Sequence, residues 1–176
     1  SVLDHSTDEE QRLAALHAYG LLDEPRLEEL DALARLAAYV CGTPFAVVNV
    51  VGADRVWQAG VAGVEPTSHP REHSPCSHTV TGTDVVWVPD ARDVARYADS
   101  PLVTGEVAAM RFYAAAPLHT SEGQVIGTLC AYDEVVLKQP HWPEPHDDTY
   151  VIVTVDPQNL IPEADELNNS RSVVVT

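Results

Sequence analysis

The sequence predicts an α+β fold, an antiparallel sheet with helices before and among its strands. Three observations carry that expectation. Early in the chain, apolar residues recur at three- and four-residue intervals, the spacing of a buried helical stripe. From Phe45 the texture becomes β-branched, in short runs separated by turn residues. Between those runs helix-start signals return, a mixture that fits an antiparallel sheet with attached helices.

Taken in order, Thr7 and Glu10 have capping-box spacing, and Asp8 and Glu9 suit the positive end of a helix. Leu13 and Leu16 begin the apolar face, and Gly20 supplies a stop. Pro25 fits the first turn of a second helix, with Leu27, Leu30, Leu33, Leu36, Ala37 and Val40 as its stripe. Gly42 and Pro44 end it. Phe45–Val51 is almost continuously apolar and reads as a central strand, with Val56–Gly60 returning antiparallel after the turn 52–55. Residues 61–77 read as a loop rich in Pro, His, Glu and Ser. Val85–Val88 is a third strand, stopped by Pro89-Asp90. Two short helices are expected between Ala91 and Met110, the second opened by Ser100-Pro101. Phe112–His119 and Gln124–Asp133 form the clearest hairpin.

Beyond Glu134 the character changes. Residues 134–148, dense in Pro and His, read as a linker, and Tyr150–Val155 and Ser172–Thr176 are two strand signals. An isolated two-stranded hairpin is marginal in water, so this tail is expected to lie on another surface.

Composition narrows the function. Across 176 residues, 10 Lys and Arg stand against 27 Asp and Glu, a formal charge of −17. Such a chain is repelled by nucleic acid and by anionic membranes, so neither is an expected partner. Apolar residues make up 45%, enough to fill a core. No run approaches the roughly 18 apolar residues of a membrane span, and no basic leader is evident. Cys41, Cys76 and Cys130 are odd in number and widely spaced, which favours reduced thiols in a cytosolic setting.

Residues 8–133 resemble a bacterial GAF domain, a sensory module for small molecules related to PAS domains. The resemblance rests on Arg12-Leu13 through Gly20-Leu21-Leu22-Asp23, Gly42-Thr43-Pro44-Phe45-Ala46-Val47-Val48-Asn49-Val50-Val51, Asp54-Arg55-Val56-Trp57, and Ser74-Pro75-Cys76-Ser77-His78. It continues through Val88-Pro89-Asp90-Ala91, Arg111–Leu118 and Ile126-Gly127-Thr128-Leu129-Cys130-Ala131-Tyr132-Asp133. The subgroup is that found at the front of bacterial histidine kinases and diguanylate cyclases. It implies helices packed on one face of the sheet and a ligand pocket on the other. It also implies a long C-terminal helix, which nothing after Asp133 reads as. Residues 149–176 instead resemble the last hairpin of an extracellular CARDB-type immunoglobulin-like module, through Val153–Asn159, Ile161-Pro162-Glu163 and Asp165–Asn169. The two resemblances imply opposite compartments, cytoplasmic and extracellular, as in a fusion or a truncated product.

Candidate ligand-binding residues are Trp57, Cys76, His78, Arg111, Tyr113, Thr128 and Cys130. Trp57, Arg111, Tyr113, Thr128 and Cys130 lie on or beside predicted strands, where they either face a pocket or belong to the ordinary core. Arg111 either forks onto an anionic ligand or pairs with Asp90 or Asp133 to join two strand ends. His69, His73, Cys76 and His78 offer zinc-type donors, but their spacing matches no common pattern and Pro70 and Pro75 constrain the loop, so no metal is expected. Thioether attachment of a bilin needs Cys followed directly by His, and Ser77 intervenes. A Cys76–His78 nucleophile pair lacks an orienting acid and an oxyanion-hole motif. Oxygen donors at Asp156, Asn159, Glu163, Asp165, Glu166 and Asn168 lack the EF-hand pattern and read as loop-stabilising side chains.

The expectation is therefore a non-enzymatic regulatory module that binds a small molecule of unknown identity and acts as a homo-oligomer. An assembly protein that adds its C-terminal hairpin to a neighbouring chain is the alternative. A thiol enzyme using Cys76 and Cys130 is a third class.

Overall fold

The computed structural model describes residues 2–21, 28–137, 151–152 and 174–175. Backbone contacts divide the chain into two units, Ser1–His141 and Trp142–Thr176.

In the first unit, α1 spans Val2–Ala18 and α2 spans Glu28–Cys41. The strands are β1 (Phe45–Val51), β2 (Arg55–Ala62), β3 (Ser68–Pro70), β4 (Val86–Val88), β5 (Phe112–His119) and β6 (Val125–Asp133). Between β3 and β5 lie α3 (Cys76–Thr79), α4 (Ala95–Ala98), α5 (Pro101–Thr104) and two 3₁₀ turns at Arg71–His73 and Ala91–Asp93. All strand pairs are antiparallel, in the order β3-β2-β1-β6-β5-β4. The expected α+β sheet is present, with one strand more than the sequence suggested, because residues 68–70 of the anticipated loop pair with β2.

Two helix details correct the sequence reading. Helix α1 begins at Val2, so Thr7 and Glu10 lie within it rather than capping it. No Gly or Pro precedes Thr7, and nothing in residues 2–6 breaks the helix. It stops as expected at Gly20, whose φ of 67° lies in the left-handed region and whose N–H donates to the His17 carbonyl. In α2 the buried residues are Leu30 and Ala34, backed by Leu33, Ala37, Ala38 and Cys41. Leu36 and Val40 are exposed with Tyr39. The helix crosses β2 at close range where Leu30 passes over Gly60. A Cβ on Gly60 would lie 2.4 Å from the Leu30 backbone. Pro25 and Leu27 fall outside the described residues.

The sheet has two differently covered faces. Ala46, Val48 and Ala131 pack against α2, and Val50 and Ile126 pack with Leu16 of α1. On the opposite face Val47, Val51, Val56, Tyr113, Ala115 and Cys130 meet Cys76, Val80, Ala91, Tyr97, Val103 and Met110. That second cover is the β3–β5 connection, a roof of short helices. The Ser100-Pro101 start holds, with Ser100 Oγ accepting from Leu102 N at 3.2 Å.

A partly buried ion cluster ties α1 to the β1–β2 turn. Arg12, 5% exposed, donates to both Glu9 carboxylate oxygens at 2.8 and 2.9 Å and to the Val51 carbonyl at 2.6 Å. Arg71 reaches the same carboxylate at 2.6 Å and the Gly52 carbonyl at 2.9 Å.

In the second unit β7 (Val151–Ile152) and β8 (Val174–Val175) pair antiparallel, Val151 opposite Val175. The residues that carry the CARDB-like resemblance, the oxygen-donor loop and most of the linker lie outside the described residues.

Candidate functional site

The site lies between the sheet and its roof. Strand β1 contributes Asn49, the one polar side chain in an otherwise apolar run. Alternation along the strand sends Ala46, Val48 and Val50 to the helix side and turns Val47, Asn49 and Val51 to the other. The register shifts between Val48 and Asn49, where Val48 opposes Gly60 but Asn49 opposes Gln58. Across the other seam, Asn49 pairs with Thr128 of β6. Cys130 lies two residues further on the same face, and α3 lowers Cys76 onto it.

These groups form a compact buried cluster. Asn49 Nδ2 donates to Cys76 Sγ at 3.2 Å and to Cys130 Sγ at 3.3 Å. The two sulfurs are 3.9 Å apart. Tyr113 Oη lies 3.4 Å from Cys76 Sγ and 3.2 Å from Thr79 Oγ1. The Cys76 N–H donates to Ser74 Oγ at 3.3 Å.

The electrostatics separate the thiols. Hydrogen bonding from Cys130, above all, brings the Cys76 thiol down to about 6 against the opposing effect of burial. Cys130 rises well above the usual thiol range because its proton serves that bond and burial disfavours a second charge. Burial, and then the neighbouring sulfurs, raise Tyr113. Cys41 is raised by burial alone.

Beside the cluster is a cavity of about 50 Å³. Its walls include Asn49, Cys76, Tyr113 and Cys130, with half-buried Gln58 and His69 on the outer side. Two lining groups, Asn49 Oδ1 and His69 Nε2, are buried without a hydrogen-bond partner. Burial, followed by His73 and Arg55, lowers His69, which favours a neutral imidazole.

Of the sequence candidates, Cys76, Tyr113 and Cys130 come together here, and Thr128 is fully buried on the same strand. His78 is exposed and lines a separate surface depression with Glu72, His73, Arg96 and Asp99. Arg111 is engaged by Asp90, with Nε to Oδ1 at 2.8 Å and a second bond from Nη2 to Oδ2. That pair joins the end of β4 to the start of β5, and Arg111 is not a lining residue. Trp57 packs over Gly52 and lies outside the cavity wall. Among the described residues no group of three or more His, Cys, Asp or Glu is placed to hold a metal ion. Asn49 was missed by the sequence reading, although a lone amide inside Phe45–Val51 is a visible signal.

Comparison with known proteins places this architecture. The GAF domain model matches residues 25–155. A cyclic di-GMP phosphodiesterase of Pseudomonas aeruginosa is 36% identical over 126 residues, 72% of this chain and 21% of the relative. The chain thus spans about a fifth of that relative's length. Two solved structures share the fold at a TM-score of 0.50. The GAF domain of an Acinetobacter phosphoenolpyruvate-protein phosphotransferase is 12% identical, with 73% of this chain and 78% of that one covered. A free methionine-R-sulfoxide reductase from Neisseria meningitidis, in complex with its substrate, is 18% identical, with coverages of 74% and 76%. Strand order, the roofed sheet face and a family match over most of the length agree that this chain belongs to the GAF domain family, the small-molecule-binding sensory modules.

Proposed function

We propose that the chain is a non-catalytic sensory module of a cytoplasmic signalling protein. Its ligand enters the cavity between β1, β6 and the roof, and the response passes through contacts between subunits. The observation that supports this reading is the pair of buried, unpartnered polar atoms, Asn49 Oδ1 and His69 Nε2, in the wall of a cavity on the roofed face of the sheet. Groups of this kind cost free energy unless a ligand or water satisfies them.

A cavity of about 50 Å³ suits a compact polar molecule, whereas a nucleotide or tetrapyrrole requires the roof to move. A ligand then acts by favouring one arrangement of the roof over another.

Thermal unfolding in a panel of small polar metabolites, cyclic di-GMP and tetrapyrroles tests this. A ligand at a hundred times its Kd contributes about 2.7 kcal/mol, which raises Tm by about 8 °C in a domain of this size. The shift is expected to disappear in Asn49→Leu. An unmoved Tm across the whole panel discards ligand sensing at this site.

A further inference from the structure

We propose that Cys76 and Cys130 are a peroxide-oxidisable dithiol that closes to a disulfide, covalently joining the roof to the sheet and blocking the cavity. This goes beyond ligand sensing and does not depend on it.

Five observations converge. The sulfurs are 3.9 Å apart, in direct contact although 54 residues separate them in sequence. A bond of about 2.05 Å therefore requires the two sulfurs to approach by about 2 Å, and Cys76 sits at the start of a four-residue helix in a connecting segment. The Asn49 amide donates to both sulfurs, and an N–H aimed at sulfur favours thiolate over thiol. Tyr113 Oη adds a further polar contact to Cys76. The depressed Cys76 thiol and the raised Cys130 thiol agree with a nucleophile beside a proton-bearing partner. Finally, both cysteines form part of the cavity wall, whose volume of about 50 Å³ admits hydrogen peroxide but excludes a bulky oxidant such as glutathione disulfide. Cys41 shares none of this, since it lies on α2 among the residues packed against the opposite face of the sheet.

The chemistry balances with peroxide as oxidant. The Cys76 thiolate attacks one peroxide oxygen, the O–O bond breaks, and hydroxide leaves as Cys76 becomes the sulfenic acid, the hydroxide taking up the proton that the Cys76 thiol released on ionising. Cys130 sulfur then attacks Cys76 sulfur, the S–S bond forms, and the S–O bond breaks. The departing hydroxide takes the Cys130 proton. Two thiols lose two electrons, and one peroxide is reduced to two waters.

The test exposes the full chain to a small excess of hydrogen peroxide, quenches it, and measures intact mass and alkylatable thiols after denaturation. The expected product is lighter by about 2 Da, keeps a single alkylatable thiol at Cys41, and reverts with dithiothreitol. Its peptide map joins the Cys76 and Cys130 peptides within one chain. In Cys130→Ser the reaction is expected to stop at a sulfenic acid, heavier by about 16 Da and trapped by dimedone at Cys76. Cys41→Ser is expected to behave as wild type. Three alkylatable thiols surviving peroxide treatment overturn the proposal. A bridge mapped to Cys41 or between two chains overturns it equally, and the wild-type map decides this without any variant.

Discussion

Replacing Glu9 by Gln isolates the charge at the centre of the α1 cluster while keeping the side chain's shape. In the folded protein the Arg12 guanidinium, and then Arg71, hold the Glu9 carboxyl down from 4.5 to about 2. At full strength that displacement corresponds to about 3.4 kcal/mol. The Glu9 side chain is 36% exposed, and solvent screening leaves a little under half, or about 1.5 kcal/mol. The sign follows from the direction of the change. A carboxyl depressed in the folded state contributes all its stability above pH 4.5 and loses it as pH falls towards about 2. Urea unfolding of wild type and Glu9→Gln at pH 7 is expected to differ by about 1.5 kcal/mol, with Tm lower by about 5 °C in the variant. Between pH 4.5 and pH 2 the gap is expected to close, because wild type alone loses the charge. The same gap at pH 3 as at pH 7 refutes the electrostatic account, and so does no gap at pH 7.

Gly60→Ala places a methyl 2.4 Å from the Leu30 backbone and is expected to cost about 3 kcal/mol, read as a Tm fall of about 10 °C. On α2, Leu30→Ala is expected to cost 2 kcal/mol or more, roughly the loss from a packed site, while Leu36→Gln stays within about 0.5 kcal/mol. Equal losses at the two positions in urea unfolding contradict the observed orientation of the helix. Asp90→Asn removes one partner of Arg111 and is expected to lower Tm at neutral pH. Because Arg111 holds Asp90 down to about 2, the difference from wild type should fade as pH falls from 3.8 towards that value.

Local patterns made most of the fold legible. Phe45–Val51 and the Phe112–Asp133 hairpin declare themselves by β-branched content and turn spacing, and Ser100-Pro101 by its capping chemistry. Strand β3 was not legible, since Ser68-His69-Pro70 lacks apolar alternation and acquires strand character only by pairing with Arg55–Trp57. The stripe of α2 was legible in part: Leu30, Leu33 and Ala37 pack on the sheet, whereas Leu36 and Val40 are exposed and Ala34 is buried in their place. At the site, Cys76, Tyr113 and Cys130 were each visible as candidates, but their meeting depends on a roof that no local pattern encodes. For Arg111, pairing with Asp90 or with Asp133 stood beside an anionic ligand as a reading, and the structure shows the Asp90 pair, since strand geometry brings the end of β4 to the start of β5.

The strand order has a kinetic corollary. Hairpins β1–β2 and β5–β6 are each local, but they join only along the seam where Phe45 meets Tyr132 and Asn49 meets Thr128. During synthesis β1 therefore leaves the ribosome with one hydrogen-bonding edge open, and it stays open until β6 emerges. Such non-local closure is slower than local pairing, because the loop entropy is lost before the contacts form. Nascent chains arrested before residue 125 carry that bare edge, and it is on them that a chaperone has most to protect.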